Sequence, residues 1–185
     1  MASSQLIVLA GPTAVGKGTV TRALLDRYPQ VVLTVSATTR PPRPDEIDGV
    51  HYHFISEEEF DALIDSGGML EYAIVHGHHK YGTLRAPVEE ALRQGRCVLL
   101  EIDLDGARQV RRSQPDALCV FLAPPSWEEL ERRLIGRGTE SPQEQARRLQ
   151  TARVEMAAQD EFDVTVTNDD IDTAVLELAH LMGLE

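Results

Sequence analysis

The apolar run Leu6-Ile7-Val8-Leu9-Ala10 passes directly into Gly11-Pro12-Thr13-Ala14-Val15-Gly16-Lys17-Gly18-Thr19, and no other stretch constrains the chain as strongly. Five consecutive apolar residues suit a strand buried on both faces. A loop with glycine at both ends and a lysine at its exit then leads into a helix. Backbone N–H groups in such a loop point inward around phosphate oxygens, and the helix N-terminus adds partial positive charge. Lys17 would reach the outer phosphates of whatever is held there. Lysine is scarce, since Lys80 is the only other one in the chain.

The rest of the chain repeats the strand-then-helix rhythm. Strand-like runs fall at 5–10, 31–35, 96–102, 117–122 and 163–167, most of them continuous and apolar. Helix-like stretches lie at 17–28, 86–94, 105–112, 126–135, 142–160 and 171–182. That alternation implies βαβ units, a parallel sheet and right-handed crossovers. Ser56 with Glu59, Ser126 with Glu129, and Ser141 with Glu144 read as capping boxes, the last with Pro142 at the first helical position. Gly67 and Gly95 read as C-caps.

Two segments interrupt the rhythm. Residues 36–84 hold strand-like 50–54 and 69–75 and a short capped helix at 56–66, which suits a small inserted α+β lobe. Residues 136–141, Gly-Arg-Gly-Thr-Glu-Ser, join two arginine-bearing helices, and glycine on both sides of Arg137 suggests a mobile lid.

Charge narrows the ligand. The formal net charge is −12, which argues against a nucleic-acid partner. Arginine nevertheless gathers at Arg40 and Arg43 and along Arg132, Arg133, Arg137, Arg147, Arg148 and Arg153, as in a grip on a small anion. No apolar run approaches a membrane span, and the N-terminal residues lack the pattern of a secretory signal. Cys97 and Cys119 lie in apolar runs without metal-ligand spacing, so reduced structural thiols and a cytoplasmic location are expected. His51, His53, His76, His78 and His79 read as surface or packing residues rather than a metal site.

A second signature names a substrate. Ser36-Ala37-Thr38-Thr39-Arg40-Pro41-Pro42-Arg43-Pro44, with Glu46, Gly49 and Tyr52, resembles the nucleoside-monophosphate site of guanylate kinases. The resemblance continues through Glu71, Tyr81-Gly82-Thr83, Glu101-Ile102-Asp103, Gly136-Arg137-Gly138-Thr139, Arg147-Arg148-Leu149 and Val166-Thr167-Asn168-Asp169. It implies an α/β P-loop fold with a five-stranded parallel sheet flanked by helices, an inserted nucleotide-monophosphate lobe and a helical lid. One domain, 1–185, would divide into a core (1–35, 85–125 and 161–185), a GMP-binding lobe (36–84) and a lid region (126–160).

The activity implied is transfer of the γ-phosphoryl group of ATP to GMP, with Mg²⁺. By resemblance, Ser36, Glu71, Thr83 and Asp103 would contact guanine, while Arg40, Arg43, Tyr52 and Tyr81 would hold the GMP phosphate. Gly11 to Thr19 would bind ATP, with Asn168 near the adenine. Lys17, Arg40, Arg133, Arg137 and Arg148 would act in the transfer. Carboxylates only accept hydrogen bonds, so Glu71 and Asp103 suit guanine's N1–H and N2 amino group, and the hydroxyls of Ser36 and Thr83 suit its O6. A monomer or small homo-oligomer is expected.

Three positions depart from the family pattern. Gly18 stands where Ser or Thr commonly follows the loop lysine, which leaves Thr19 as the candidate Mg²⁺ ligand. Ala14 stands where glycine is frequent, and Lys80 where an aromatic is common. Two other readings compete: a monophosphate kinase with a different base preference, and a related binding module that has lost catalysis. Glu71 with Asp103 disfavours the first, and retention of Lys17, Arg133, Arg137 and Arg148 disfavours the second.

Overall fold

The structure is a computed structural model describing residues 5–75, 77–135 and 141–184. Strand β1 (Gln5–Ala10) leads through the glycine loop into α1 (Lys17–Arg27), followed by β2 (Val32–Leu33). The segment after it forms β3 (Ala37–Thr38), β4 (His53–Phe54), α2 (Glu57–Asp65), β5 (Met69–Val75) and β6 (His79–Leu84). Next come α3 (Arg85–Arg93), β7 (Cys97–Glu101), α4 (Leu104–Ser113) and β8 (Leu118–Ala123). The chain finishes with α5 (Trp127–Ile135), α6 (Pro142–Ala157), a 3₁₀ turn (Gln159–Glu161), β9 (Val164–Thr167) and α7 (Ile171–Leu181).

β1 is the centre of a five-stranded sheet of order β2-β7-β1-β8-β9, parallel throughout. The continuous apolar runs follow from burial on both faces. Ile7 and Leu9 of β1, Cys97 and Leu99 of β7 and Val120 and Leu122 of β8 point to one side, against α1, α5, α6 and α7. Leu6, Val8, Val98, Leu100 and Cys119 point to the other, against α3 and α4. Cys97 and Cys119 are thus buried and unbridged on opposite faces, and burial raises both thiol pKa values.

The second sheet has four strands, β4-β3-β6-β5, and a small core around Phe60 of α2. Strands β3 and β6 are not anticipated by hydrophobic pattern, and the strand-like run 50–54 is reduced to His53–Phe54. The stretch 142–160 breaks after Ala157 into the 3₁₀ turn.

Cap chemistry differs from expectation at one helix. The boxes at Ser56/Glu59 and Ser141/Glu144 form with both reciprocal bonds. At Ser126 only half forms: Ser126 Oγ accepts from the Glu129 N–H at 3.1 Å. The Glu129 carboxylate turns instead to Arg132 and Arg133, because two guanidinium groups outcompete one backbone N–H. Gly67 and Gly95 end their helices in the left-handed region, with φ of 72° and 76°.

Strand β5 docks on α4. The Gln109 amide accepts from the Tyr72 N–H at 3.0 Å and donates to the Tyr72 carbonyl at 2.9 Å, imitating a neighbouring strand. Lys80 of β6, whose place was unexplained by sequence, pairs with Asp61 of α2 at 2.6 Å.

Candidate active site

The glycine loop lies at the C-terminal end of β1, where ligands collect in parallel sheets. Its glycines answer to space. A Cβ on Gly11 would collide with the Leu122 carbonyl of β8, and Gly16 has φ 98° with Asn168 Nδ2 2.8 Å from where a Cβ would stand. Ala14 also adopts a left-handed φ, 67°, which accounts for the preference for glycine at that position. The loop is held from behind. Val15 O accepts from Asn168 Nδ2 at 2.8 Å and from Arg133 Nη1 at 3.2 Å. Thr13 N–H donates to Glu155 Oε2 at 2.9 Å.

Two clefts meet over the loop. One, of about 750 Å³, is lined by Pro12, Thr13, Lys17, Thr19 and Glu101 among others. The other, of about 580 Å³, is lined by Ala14, Gly16, Thr19, Arg133, Asn168 and Asp169. Lys17 Nζ donates to the Gly11 carbonyl at 2.6 Å. Burial lowers its pKa, against the pull of Glu155, Glu101 and Asp103.

The expected base-recognition residues converge where the lobe meets the core. Glu71 of β5 is only 8% exposed, and its Oε1 accepts the Thr83 hydroxyl at 2.6 Å. Burial raises the Glu71 pKa; Thr83 opposes this and the charge of Asp103 adds to it. Asp103 caps α4 through Gly106 N–H at 2.8 Å. Sequence reasoning missed Gly106 itself. A Cβ there would stand 3.1 Å from Glu71 Oε2 and 3.2 Å from Asp103 Oδ1, so the bare backbone lets the two carboxylates converge. Gly82 is similarly tight, since a Cβ would stand 2.6 Å from the Glu71 carbonyl across the β5–β6 ladder. Ser36 is half-buried just before β3.

Arg40 is held on every side. Its guanidinium bonds both Glu46 carboxylate oxygens at 2.9 Å, Pro41 O at 2.8 Å and the Tyr81 hydroxyl at 3.2 Å. It lies 5.4 Å from the Tyr52 ring centroid, and Tyr52 packs edge-on to Tyr81. Glu46 also accepts from Arg43 N–H at 2.8 Å, and Arg40 foremost, then Arg43, holds its carboxyl down at about 2. The motif threonines are structural: Thr38 Oγ1 accepts from Arg40 N–H, and Thr39 Oγ1 from Lys80 N–H. The Arg43 side chain is exposed.

The arginines of the second group do not act as one patch. Arg132 is exposed and paired with Glu129, and Arg153 lies over the Trp127 ring at 5.1 Å. Arg147 is exposed and Arg148 half-buried, both on α6. Arg133 bonds the glycine loop at Val15 O. Gly136, Arg137, Gly138 and Thr139 lie outside the described residues, so the expected lid arginine Arg137 is not placed. Among the described residues no group of three His, Cys, Asp or Glu is arranged to hold a metal ion.

Comparison with known proteins agrees with this geometry. Residues 3–185 match the guanylate kinase family. A guanylate kinase from Cutibacterium acnes is 59% identical over 177 residues, covering 96% of this chain and 89% of that protein. One from Leifsonia xyli is 60% identical, covering 96% and 70%. The crystal structure of a guanylate kinase from Anaplasma phagocytophilum superposes with a TM-score of 0.75 at 29% identity, covering 100% of this chain and 87% of that one.

Proposed function

The chain belongs to the guanylate kinase family, and from that premise we propose how its residues transfer the γ-phosphoryl group of ATP to GMP, giving ADP and GDP. The observation that carries the reading is a carboxylate pair, buried Glu71 and solvent-exposed Asp103, converging on Gly106. Ionised carboxylates accept from guanine N1–H and N2–H, whereas adenine presents a lone pair at N1 and no 2-amino group. The single Thr83 proton is already given to Glu71. Thr83 therefore fixes the carboxylate, and Ser36 is left to donate to O6.

The acceptor is an ionised phosphate, so no catalytic base is needed, and the work is positioning and charge stabilisation. Arg40, Arg43, Tyr52 and Tyr81 hold the GMP phosphate. Because Glu46 occupies the Arg40 fork, Arg40 offers that phosphate one remaining Nη2–H rather than a bidentate pair unless Glu46 withdraws. The loop from Gly11 to Thr19 cradles the ATP phosphates, with Lys17 on the transferring group and Arg133, Arg137 and Arg148 closing around it. Asn168 gives one of its two amide N–H groups to Val15 O and keeps its carbonyl oxygen for the adenine amino group.

Mg²⁺ fits the donor set. Thr19 and the Glu101 carboxylate face the same cleft, and a Cβ on Gly18 would stand 3.8 Å from Glu101 Oε1. A site with few protein ligands suits Mg²⁺, which keeps several waters and binds largely through substrate phosphates. When bound, the ion neutralises charge on those phosphates. No described helix is long and apolar enough to cross a membrane. We take the molecule as a cytoplasmic monomer or small homo-oligomer without a nucleic-acid partner, in line with its acidic charge and unbridged cysteines.

A coupled assay with ATP and each of GMP, dGMP, AMP, UMP and CMP tests the reading. Strong preference for guanine nucleotides is expected, since sites built to hydrogen-bond a substrate group reject analogues lacking it by ~10⁴-fold or more. Comparable turnover of AMP would refute it.

A further inference from the structure

Glu155 is an unexpected neighbour for a phosphate site. It stands near the C-terminal end of α6, 142 residues from the loop in sequence, yet its Oε2 accepts the Thr13 N–H at 2.9 Å. An anion beside a nucleotide triphosphate is repelled by it, so the contact calls for a reason.

The neighbours on α6 supply one. Arg148, Ala152 and Glu155 are spaced i, i+4, i+7 and share a helix face. Ala152 is fully buried, and Leu149 and Met156 pack on the main core. Core packing of Leu149, Ala152 and Met156 sets the roll of α6, and the contact at Glu155, on the same face as Arg148, ties that helix to the loop. The contact leaves the phosphate seat open, because Thr13 lies four residues before α1 begins and the amides at the helix N-terminus are not the ones bound. Glu155 also stands close enough to Lys17 to act on its charge.

We propose that Glu155 is a positioning residue for phosphoryl transfer, its carboxylate keying the lid helix to the phosphate loop so that Arg148 and Lys17 address the same phosphoryl group. This rests on the ATP:GMP transfer read above. Reach, rather than charge, is the property that matters. Gln keeps the reach and an accepting oxygen without the charge, while Asp keeps the charge and draws it back by one methylene.

The test is steady-state kinetics on the full chain for wild type and Glu155→Ala, Glu155→Gln and Glu155→Asp. Misplacing catalytic groups by an ångström can cost ~10²-fold, so the Ala and Asp variants should lose about tenfold or more in kcat with the KM for GMP unchanged. Glu155→Gln should recover most of the loss. Unchanged kcat in all three variants overturns the proposal. So does a better Asp than Gln, which would make charge the operative property. A lower KM for ATP with undiminished kcat in the Ala variant also overturns it, since the carboxylate would then be competing with phosphate. Wild type without GMP-phosphorylating activity would instead refute the functional reading, independently of Glu155.

Discussion

Gly106→Ala separates folding from base recognition. Gly106 lies in the first turn of α4, where alanine is the better helix former by up to about 1 kcal/mol. The added methyl would stand 3.1 Å from Glu71 Oε2 and 3.2 Å from Asp103 Oδ1. Relaxed contacts of carbon fall at ~3.5 Å or more, so both carboxylates must retreat by a few tenths of an ångström. Neither retreats freely. Glu71 is tied to Thr83 at 2.6 Å within the β5–β6 ladder, and Asp103 is tied to the Gly106 N–H itself. The loss falls on bonds to the base. A hydrogen bond to a charged group is worth about 1.5–3 kcal/mol, and misaligning one is expected to cost 1–3 kcal/mol. That corresponds to roughly 5- to 150-fold in kcat/KM for GMP. The KM for ATP should hold, and the thermal midpoint should change little because helix propensity offsets the crowding. Steady-state kinetics with each nucleotide varied, together with thermal unfolding, reads all three quantities. An unchanged kcat/KM for GMP, or an equal rise in the KM for ATP, would refute the reasoning.

Lys17→Ala should lower kcat by about 10²-fold or more, as expected for a preorganised charge at the reacting centre, while near-normal kcat would remove Lys17 from the mechanism. Glu71→Gln should raise stability at pH 8. Burial lifts the folded-state pKa of Glu71 above its unfolded value, so its favourable contribution is complete below the unfolded pKa and lost as pH rises through the folded one. The unionisable amide escapes that loss, so its advantage in thermal unfolding should be largest at pH 8 and fade toward pH 4; an advantage independent of pH would refute the burial argument. The same variant should lose GMP activity at all pH values, having replaced an acceptor with a donor.

Much of this molecule is legible in its sequence because the relevant physics is local. Short apolar runs bounded by turn signals suit buried strands, and all five strand-like runs are found within two residues of their expected bounds, with β1, β7 and β8 covered on both faces and the edge strands β2 and β9 partly exposed. Two of the three capping boxes form with both bonds, their partners three residues apart, while at Ser126 nearby arginines on the same helix take the Glu129 carboxylate. The loop from Gly11 to Lys17 declares a phosphate site through residue types that backbone geometry demands. Strands β3 and β6 were hidden because they are short or polar, and their pairing comes from distant segments. Tertiary structure alone decided which anion meets which cation or N–H. Glu46 occupies Arg40, Thr83 gives its proton to Glu71, and Glu155 crosses 142 residues to Thr13. A carboxylate's composition fixes what it can accept, but its partner is chosen by which elements pack together, and that depends on long-range contacts no local pattern encodes.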